Sequence, residues 1–138
     1  LLRSGRRWQA CGVEEFVLPP TSNWPHILPA LRLLDELQRD GVLRNARIAS
    51  GFRTPAHNRC EGGAASSRHL DFRALDLEID AGAEDASRLC RRWRQLGPAR
   101  HWGLGFYRPG RIHIDAEGFR TWGGDHHAGS SLCNMSQP

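Results

Sequence analysis

In the stretch Ala74-Leu75-Asp76-Leu77-Glu78-Ile79-Asp80, Leu75, Leu77 and Ile79 alternate with Asp76, Glu78 and Asp80. Period two is the pattern of a strand with one buried face, and it turns Asp76 away from the core. A second signal lies downstream, where Gly103–Tyr107 and Arg111–Asp115 flank Arg108-Pro109-Gly110. Pro followed by Gly suits the two central positions of a type II turn, so a β-hairpin is expected. In its second strand Ile112 and Ile114 face one way, and Arg111, His113 and Asp115 face the other.

Outward from these strands the period changes. From Pro25 to Asp40 apolar residues recur at Ile27, Leu28, Leu31, Leu34 and Leu37, the spacing of an amphipathic helix, and Gly41 follows as a stop. A second long helix is expected over Gly82–Leu96, with Ala86, Leu89, Cys90, Trp93 and Leu96 as its stripe and Gly97-Pro98 as its terminator. Arg47–Ser50 is β-compatible. Thr54-Pro55 reads as an N-cap followed by a proline at the first helical position, so a short helix should cover Pro55 to Cys60. Glu61–Ser67 has only small or polar residues and must be a loop, and the segment through Asn23 is mostly irregular. The fold class is therefore α+β, a small, largely antiparallel β-sheet whose apolar face packs on helices.

With 138 residues, 39% of them hydrophobic, the chain fills one core. A single domain over residues 1–124, acting as a monomer, is expected, with the polar, Gly/Ser-rich residues 125–138 as a flexible tail. The formal charge of +4 comes from cations scattered along the sequence. Nucleic-acid binders gather such residues on one helix or stripe, and the best run, Cys90-Arg91-Arg92-Trp93-Arg94, belongs to an amphipathic helix, so no nucleic-acid partner is expected. No stretch approaches the roughly 20 apolar residues of a membrane helix, so no transmembrane segment is expected. The first residue is Leu1, which suits a trimmed, exported form. Cys11, Cys60, Cys90 and Cys133 lack metal-ligand spacing; they allow two disulfides in any of three pairings, or buried free thiols.

A catalytic zinc ion takes three protein ligands, imidazoles and carboxylates, and keeps one position for water. His69, Asp76 and His113 meet that need. His69 ends the small-residue loop, a turn can bring it to Asp76, and alternation puts Asp76 and His113 on the polar face of one sheet. That face is expected to be open for chemistry.

Ser50-Gly51-Phe52-Arg53-Thr54-Pro55-Ala56-His57-Asn58, then Ser67-Arg68-His69 with six residues to Asp76, then His113-Ile114-Asp115, resembles the zinc D-alanyl-D-alanine carboxypeptidase family. The similarity extends to Gly103-Leu104-Gly105-Phe106-Tyr107 and Arg120-Thr121-Trp122. It implies a hedgehog/DD-peptidase fold, one zinc per chain on His69, Asp76 and His113, and Arg53 as the cation near the substrate. It also implies peptidoglycan peptides as substrates and an extracytoplasmic location, in the periplasm or cell envelope. Many members place a glutamate three residues before the last histidine ligand, where this chain has Gly110. It looks more like a His-x-Asp branch, with Asp115 as the candidate base or else as a carboxylate that orients a ligand. His101 is a weaker candidate acid or base. Ser67 and Arg120 are expected to line or support the substrate site, and Asn58 to fix the loop. If the hairpin pairs as expected, Gly105 and Gly103 lie across from His113 and Asp115, leaving room for a peptide backbone. The alternative reading is a catalytically inactive zinc-containing module that binds cell wall.

Overall fold

The computed structural model describes residues 2–135. A 3-10 turn, Thr21–Ile27, leads into helix α1 (Leu28–Arg39), followed by strand β1 (Arg47–Ser50) and helix α2 (Pro55–Cys60). A second 3-10 turn, Arg68–Asp71, precedes strand β2 (Ala74–Glu78) and helix α3 (Ala83–Arg100). Strands β3 (Gly103–Arg108), β4 (Arg111–Asp115) and β5 (Arg120–Trp122) and the short helix α4 (Leu132–Met135) complete the chain. The five strands lie in the order β1-β2-β4-β3-β5, antiparallel except for the β3–β5 pair, so the α+β class and the largely antiparallel sheet are as expected.

Register explains how one sheet makes both a core and a site. Leu75 lies opposite Ile114 and Leu77 opposite Ile112, while across β3 Leu104 meets Ile114 and Phe106 meets Ile112. This apolar face is buried with Leu33 and Leu37 of α1 and Leu89 and Trp93 of α3. Each such side chain contributes about 1.5–3 kcal/mol when fully buried. By the same alternation, Ala74 and Asp115, then Asp76 and His113, pair on the opposite face.

Both long helices differ from the pattern at an end. Helix α1 starts at Leu28, because the chain around Pro25 is drawn into the 3-10 turn. Its buried stripe is Ile27, Ala30, Leu33, Leu34 and Leu37, and Leu28 stays 45% exposed. Helix α3 runs on through Gly97-Pro98 to Arg100 and stops at His101, whose φ of 50° is left-handed. Pro98, exposed near the helix end, forfeits one backbone hydrogen bond there without ending the helix. At Gly97 a Cβ would stand 2.5 Å from the Phe119 ring, which stacks on Trp93 at 4.5 Å, so this glycine serves close approach instead of termination.

Where composition suggests a loose tail, residues 128–135 carry a 3-10 turn (Ala128–Ser130) and α4. Cys133 is fully buried and bonded to Cys90, and Ser131 Oγ lies 2.5 Å from Thr121 Oγ1. A covalent tie overrides the polar composition there. Residues 136–138 of that expected tail, and Leu1, lie outside the described residues. The other disulfide, Cys11–Cys60, staples the N-terminal segment to α2. Two disulfides fit an oxidising compartment. No helix among the described residues is long and apolar enough to cross a membrane.

The Cys90–Cys133 bond closes a loop with a sequence separation of 43. Its removal in a Cys90→Ser/Cys133→Ser variant is expected to cost about 2–4 kcal/mol, read from urea unfolding midpoints. An unchanged midpoint would mean that the C-terminal segment is not held through this bond.

Candidate metal centre

Three local structures deliver three side chains to one point. His69 sits in the 3-10 turn that Ser67 opens, with Ser67 Oγ accepting from the His69 N–H at 3.3 Å. The turn closes on Phe72, at a left-handed φ of 57°, and the Arg53 N–H donates to the His69 carbonyl at 3.1 Å. Asp76 and His113 are direct partners across β2 and β4. Ligand atoms of His69, Asp76 and His113 all lie within 4.8 Å of one another, and the three residues are buried.

Hydrogen bonds set which nitrogen faces inward. His69 Nδ1 lies 2.6 Å from the Gly51 carbonyl, an acceptor, so Nδ1 carries a proton. Its Nε2 then stands 3.0 Å from Asp76 Oδ1. Burial drives the His69 imidazole below its ordinary pKa, with Asp76 opposing only in part. In the neutral ring a lone pair faces an anionic oxygen, a repulsive contact that a shared cation relieves. His113 repeats the arrangement: Nε2 bonds Asp115 Oδ2 at 2.7 Å, and Nδ1 faces Asp76 Oδ1 at 3.6 Å. Burial disfavours the charged form here too, but the bonds with Asp115 and Asp76 outweigh it and raise the His113 pKa. A bound cation would take the place of that second proton. Donors about 2.0–2.1 Å from a tetrahedral zinc lie ~3.3 Å apart, between the two distances to Asp76 Oδ1. The donor set therefore fits zinc in chemistry, and both distances to Asp76 Oδ1 are near those a tetrahedral ion requires.

The groups behind the three are equally fixed. Asp76 Oδ2 accepts from Ser50 Oγ at 2.6 Å and from Arg53 at 2.7 Å, so Oδ1 is left for the imidazoles. Burial resists ionisation of Asp76, yet His69, His113 and Arg53 hold its carboxyl well below the usual range. Arg53, only 5% exposed, also donates to Asn58, whose amide bonds the Ala64 carbonyl and fixes the loop. Asp115 is fully buried; it accepts from His113, from both terminal nitrogens of Arg120 and from the Glu117 N–H. Burial works against its ionisation, but His113 and Arg120 bring its pKa down to about 2.

Several expectations change against this geometry. The polar face of the sheet is open only in part: the segment carrying Arg53 and His69 folds over it and Trp122 packs 5.0 Å from the His113 ring, while Asp76, His113 and Tyr107 still line a cleft. Gly105 and Gly103 do pair with His113 and Asp115. The room they leave is filled, however, by the Trp122 indole over Gly105 and by Asp115 and Arg120 over Gly103. His101 is exposed at the end of α3 and does not line the cleft. His126 and His127 are exposed, and His126 reaches the cleft rim. Arg53 pairs with Asp76.

Two further side chains belong to the site. Tyr107 donates its hydroxyl toward His113 Nδ1 at 3.1 Å, and burial together with the Asp76 charge pushes its pKa well above the ordinary value. It follows Gly103 and Gly105 at steps of two, so strand alternation was a usable signal for it. Trp122 offered no such signal, since its place depends on the parallel β3–β5 pairing. A second group of possible ligands is Cys11, His57 and Glu61, but Cys11 is held in a disulfide and offers no thiolate.

A cleft of about 860 Å³ opens beside Asp76 and His113, with His69 buried behind its lining. Its lining includes Asp76, His113, Tyr107, Ser67, Arg53 and Arg120. A family model described as peptidase M15 matches residues 10–115. No curated protein and no solved structure matches.

Zinc added to chelated protein is expected to raise the melting temperature, since a ligand bound only by the native fold at a hundredfold excess over Kd stabilises by about 2.7 kcal/mol. Asp76→Ala should lose the rise. An equal rise in that variant would place the ion elsewhere, for instance at His126 and His127.

Proposed function

The chain belongs to the peptidase M15 family of metallopeptidases, and on that premise we propose that it is a zinc enzyme hydrolysing peptide bonds in bacterial peptidoglycan, in stem peptides or cross-links. The observation that carries the reading is the pair of imidazoles whose inward nitrogens both face one carboxylate oxygen. In this reading His69 Nε2, Asp76 Oδ1 and His113 Nδ1 hold one zinc per chain. When bound, zinc supplies Lewis acidity and a water whose pKa is lowered toward ~7.

The chain's own residues then divide the remaining work. Arg53 holds Asp76 in place and has guanidinium donors left for a substrate carboxylate or a developing oxyanion. The Tyr107 phenol, protonated at neutral pH, is a further donor beside Asp76 and His113. Ser67 fixes the backbone of His69, and Arg120 anchors Asp115 while lining the cleft. Asp115 has every lone pair engaged, which supports the orienting role over that of general base: it keeps His113 in the tautomer that turns Nδ1 inward. The cell envelope is the location consistent with two disulfides and with this substrate.

One observation favours a second reading, a wall-binding module that holds zinc without turnover. Gly110 occupies the position of the family's usual glutamate base, in the β3–β4 turn with φ of 77°, and Asp115 is fully committed. Release of amines from purified sacculi or muropeptides separates the readings. Hydrolysis should be abolished in His113→Ala and in Asp76→Ala; unchanged turnover in either would sink the peptidase reading. Asp115→Asn is expected to weaken zinc affinity about 10–100-fold, as the loss of a ligand-orienting partner does. Full zinc affinity with a collapsed kcat would make Asp115 the base instead.

A further inference from the structure

Seven arginines line the cleft: Arg6, Arg7, Arg53, Arg68, Arg108, Arg111 and Arg120. The carboxylates on the same lining are Glu61 and Asp76. Three of the cations are already answered, Arg53 by Asp76, Arg111 by Glu78 and Arg120 by Asp115. The side chains of Arg6, Arg7, Arg68 and Arg108 form no ion pair among the described residues. Glu61 forms no ion pair with them, its Oε1 accepting from His57 Nε2 and from the backbone N–H of Arg7, and its single charge leaves the four cations in excess.

Arg6 and Arg7 are not on a loose end. The strap that carries them is pinned on both sides. Ser4 is fully buried, bonds the Glu15 carbonyl through its N–H and accepts from the Val17 N–H, while the Arg3 carbonyl accepts from the Gly51 N–H. Gly5 lies so close to α2 that a Cβ there would stand 2.5 Å from His57 Nε2, which sets Arg6 directly at the cleft wall. Beyond it, Cys11–Cys60 bonds the strap to the end of α2. A pinned backbone lowers the entropy lost when two exposed arginines close on a ligand.

We propose that Arg6 and Arg7, held by this stapled strap and joined by Arg68, form an anion subsite that selects peptides carrying a carboxylate besides the one at the chain end. The inference deepens the peptidase reading and rests on it for the identity of the ligand as a peptide; the cation excess stands on geometry alone. Carboxylates are the anions a peptide offers, and a guanidinium pairs with them through two parallel hydrogen bonds. Because Arg6 and Arg7 are exposed and Arg68 is half-buried, the attraction is modest per pair and screened by salt.

The test compares two D-alanine-ended pentapeptides, identical except for glutamyl or glutaminyl side chains at the interior positions. Binding is read by stopped-flow tryptophan fluorescence before turnover accumulates, Trp122 lying in the cleft wall. Wild-type protein should bind the glutamyl peptide about three- to tenfold more tightly, in line with a few exposed ion pairs, and lose that ratio at high salt. In Arg6→Gln/Arg7→Gln the ratio of the two Kd values should fall toward one, and Arg6→Lys/Arg7→Lys should largely restore it. Cys11→Ser/Cys60→Ser, which frees the strap, should also flatten the ratio, with thermal melts confirming that each variant is folded. Equal binding of both peptides by the wild type overturns the proposal. So does a ratio that survives the double Gln variant, or an oligonucleotide that binds more tightly than the glutamyl peptide. Selective binding without hydrolysis would leave the subsite standing and remove the peptidase reading instead.

Discussion

The carboxylate of Asp76 is the constraint around which the rest is arranged. Its two oxygens have separate duties: Oδ2 is tied to Ser50 and Arg53, and Oδ1 faces His69 and His113. Taking a carboxylate and a guanidinium out of water costs several kcal/mol per ion, so the pair is a poor device for stability alone. It makes sense as a device for aim. With Oδ2 anchored at two points, Oδ1 cannot rotate away from the imidazoles, and two rings facing one anionic oxygen form a pocket that a cation can occupy in place of a proton.

That aim is inherited from the core. Leu75 and Leu77 meet Ile114 and Ile112 on one face of β2 and β4, and the same register puts Asp76 opposite His113 on the other. A slip of one residue would expose the leucines and bury Asp76 among apolar side chains, so hydrophobic packing specifies the alignment of the polar pair. Helices α1 and α3, which carry none of the candidate ligands, therefore hold the candidate metal centre together through the apolar face. The same register places Gly105 opposite His113, where a side chain would exclude Trp122.

Much of this was legible because it is local. Period-two alternation found β2 and the hairpin, Thr54-Pro55 marked the start of α2, and the strand faces alone brought Asp76 and His113 to one side. What escaped depends on contacts between distant residues. Gly97-Pro98 reads as a stop until the Phe119 ring is seen against Gly97. Ser/Gly-rich residues near the C-terminus read as loose until Cys90 and Cys133 are paired. Arg6, Arg7, Arg68 and Arg108 look scattered in the sequence and lie around one cleft in the fold. Asp115 shows a further limit: alternation gives its face but not its partners, and four accepted hydrogen bonds, not its position in the motif, point to an orienting role.

The distribution of these parts along the chain suggests a division of labour. Residues 10–115, the segment matched to the family, contain all three candidate ligands together with Arg53 and Asp115. The groups that shape the cleft around them come partly from the flanks: Arg6 and Arg7 before that segment, Arg120 and Trp122 after it. Flanking elements such as the three-residue β5 bury too little surface to hold a precise position unaided. The N-terminal flank instead leads directly into Cys11, which is bonded to Cys60 at the end of α2, and the C-terminal flank is bonded to α3 by Cys90–Cys133. Cross-links of this span stabilise largely by restricting the unfolded chain, so they can fix a weakly packed segment without demanding a larger core. Selectivity can then vary at the stapled edges while the buried carboxylate and its two imidazoles stay as they are.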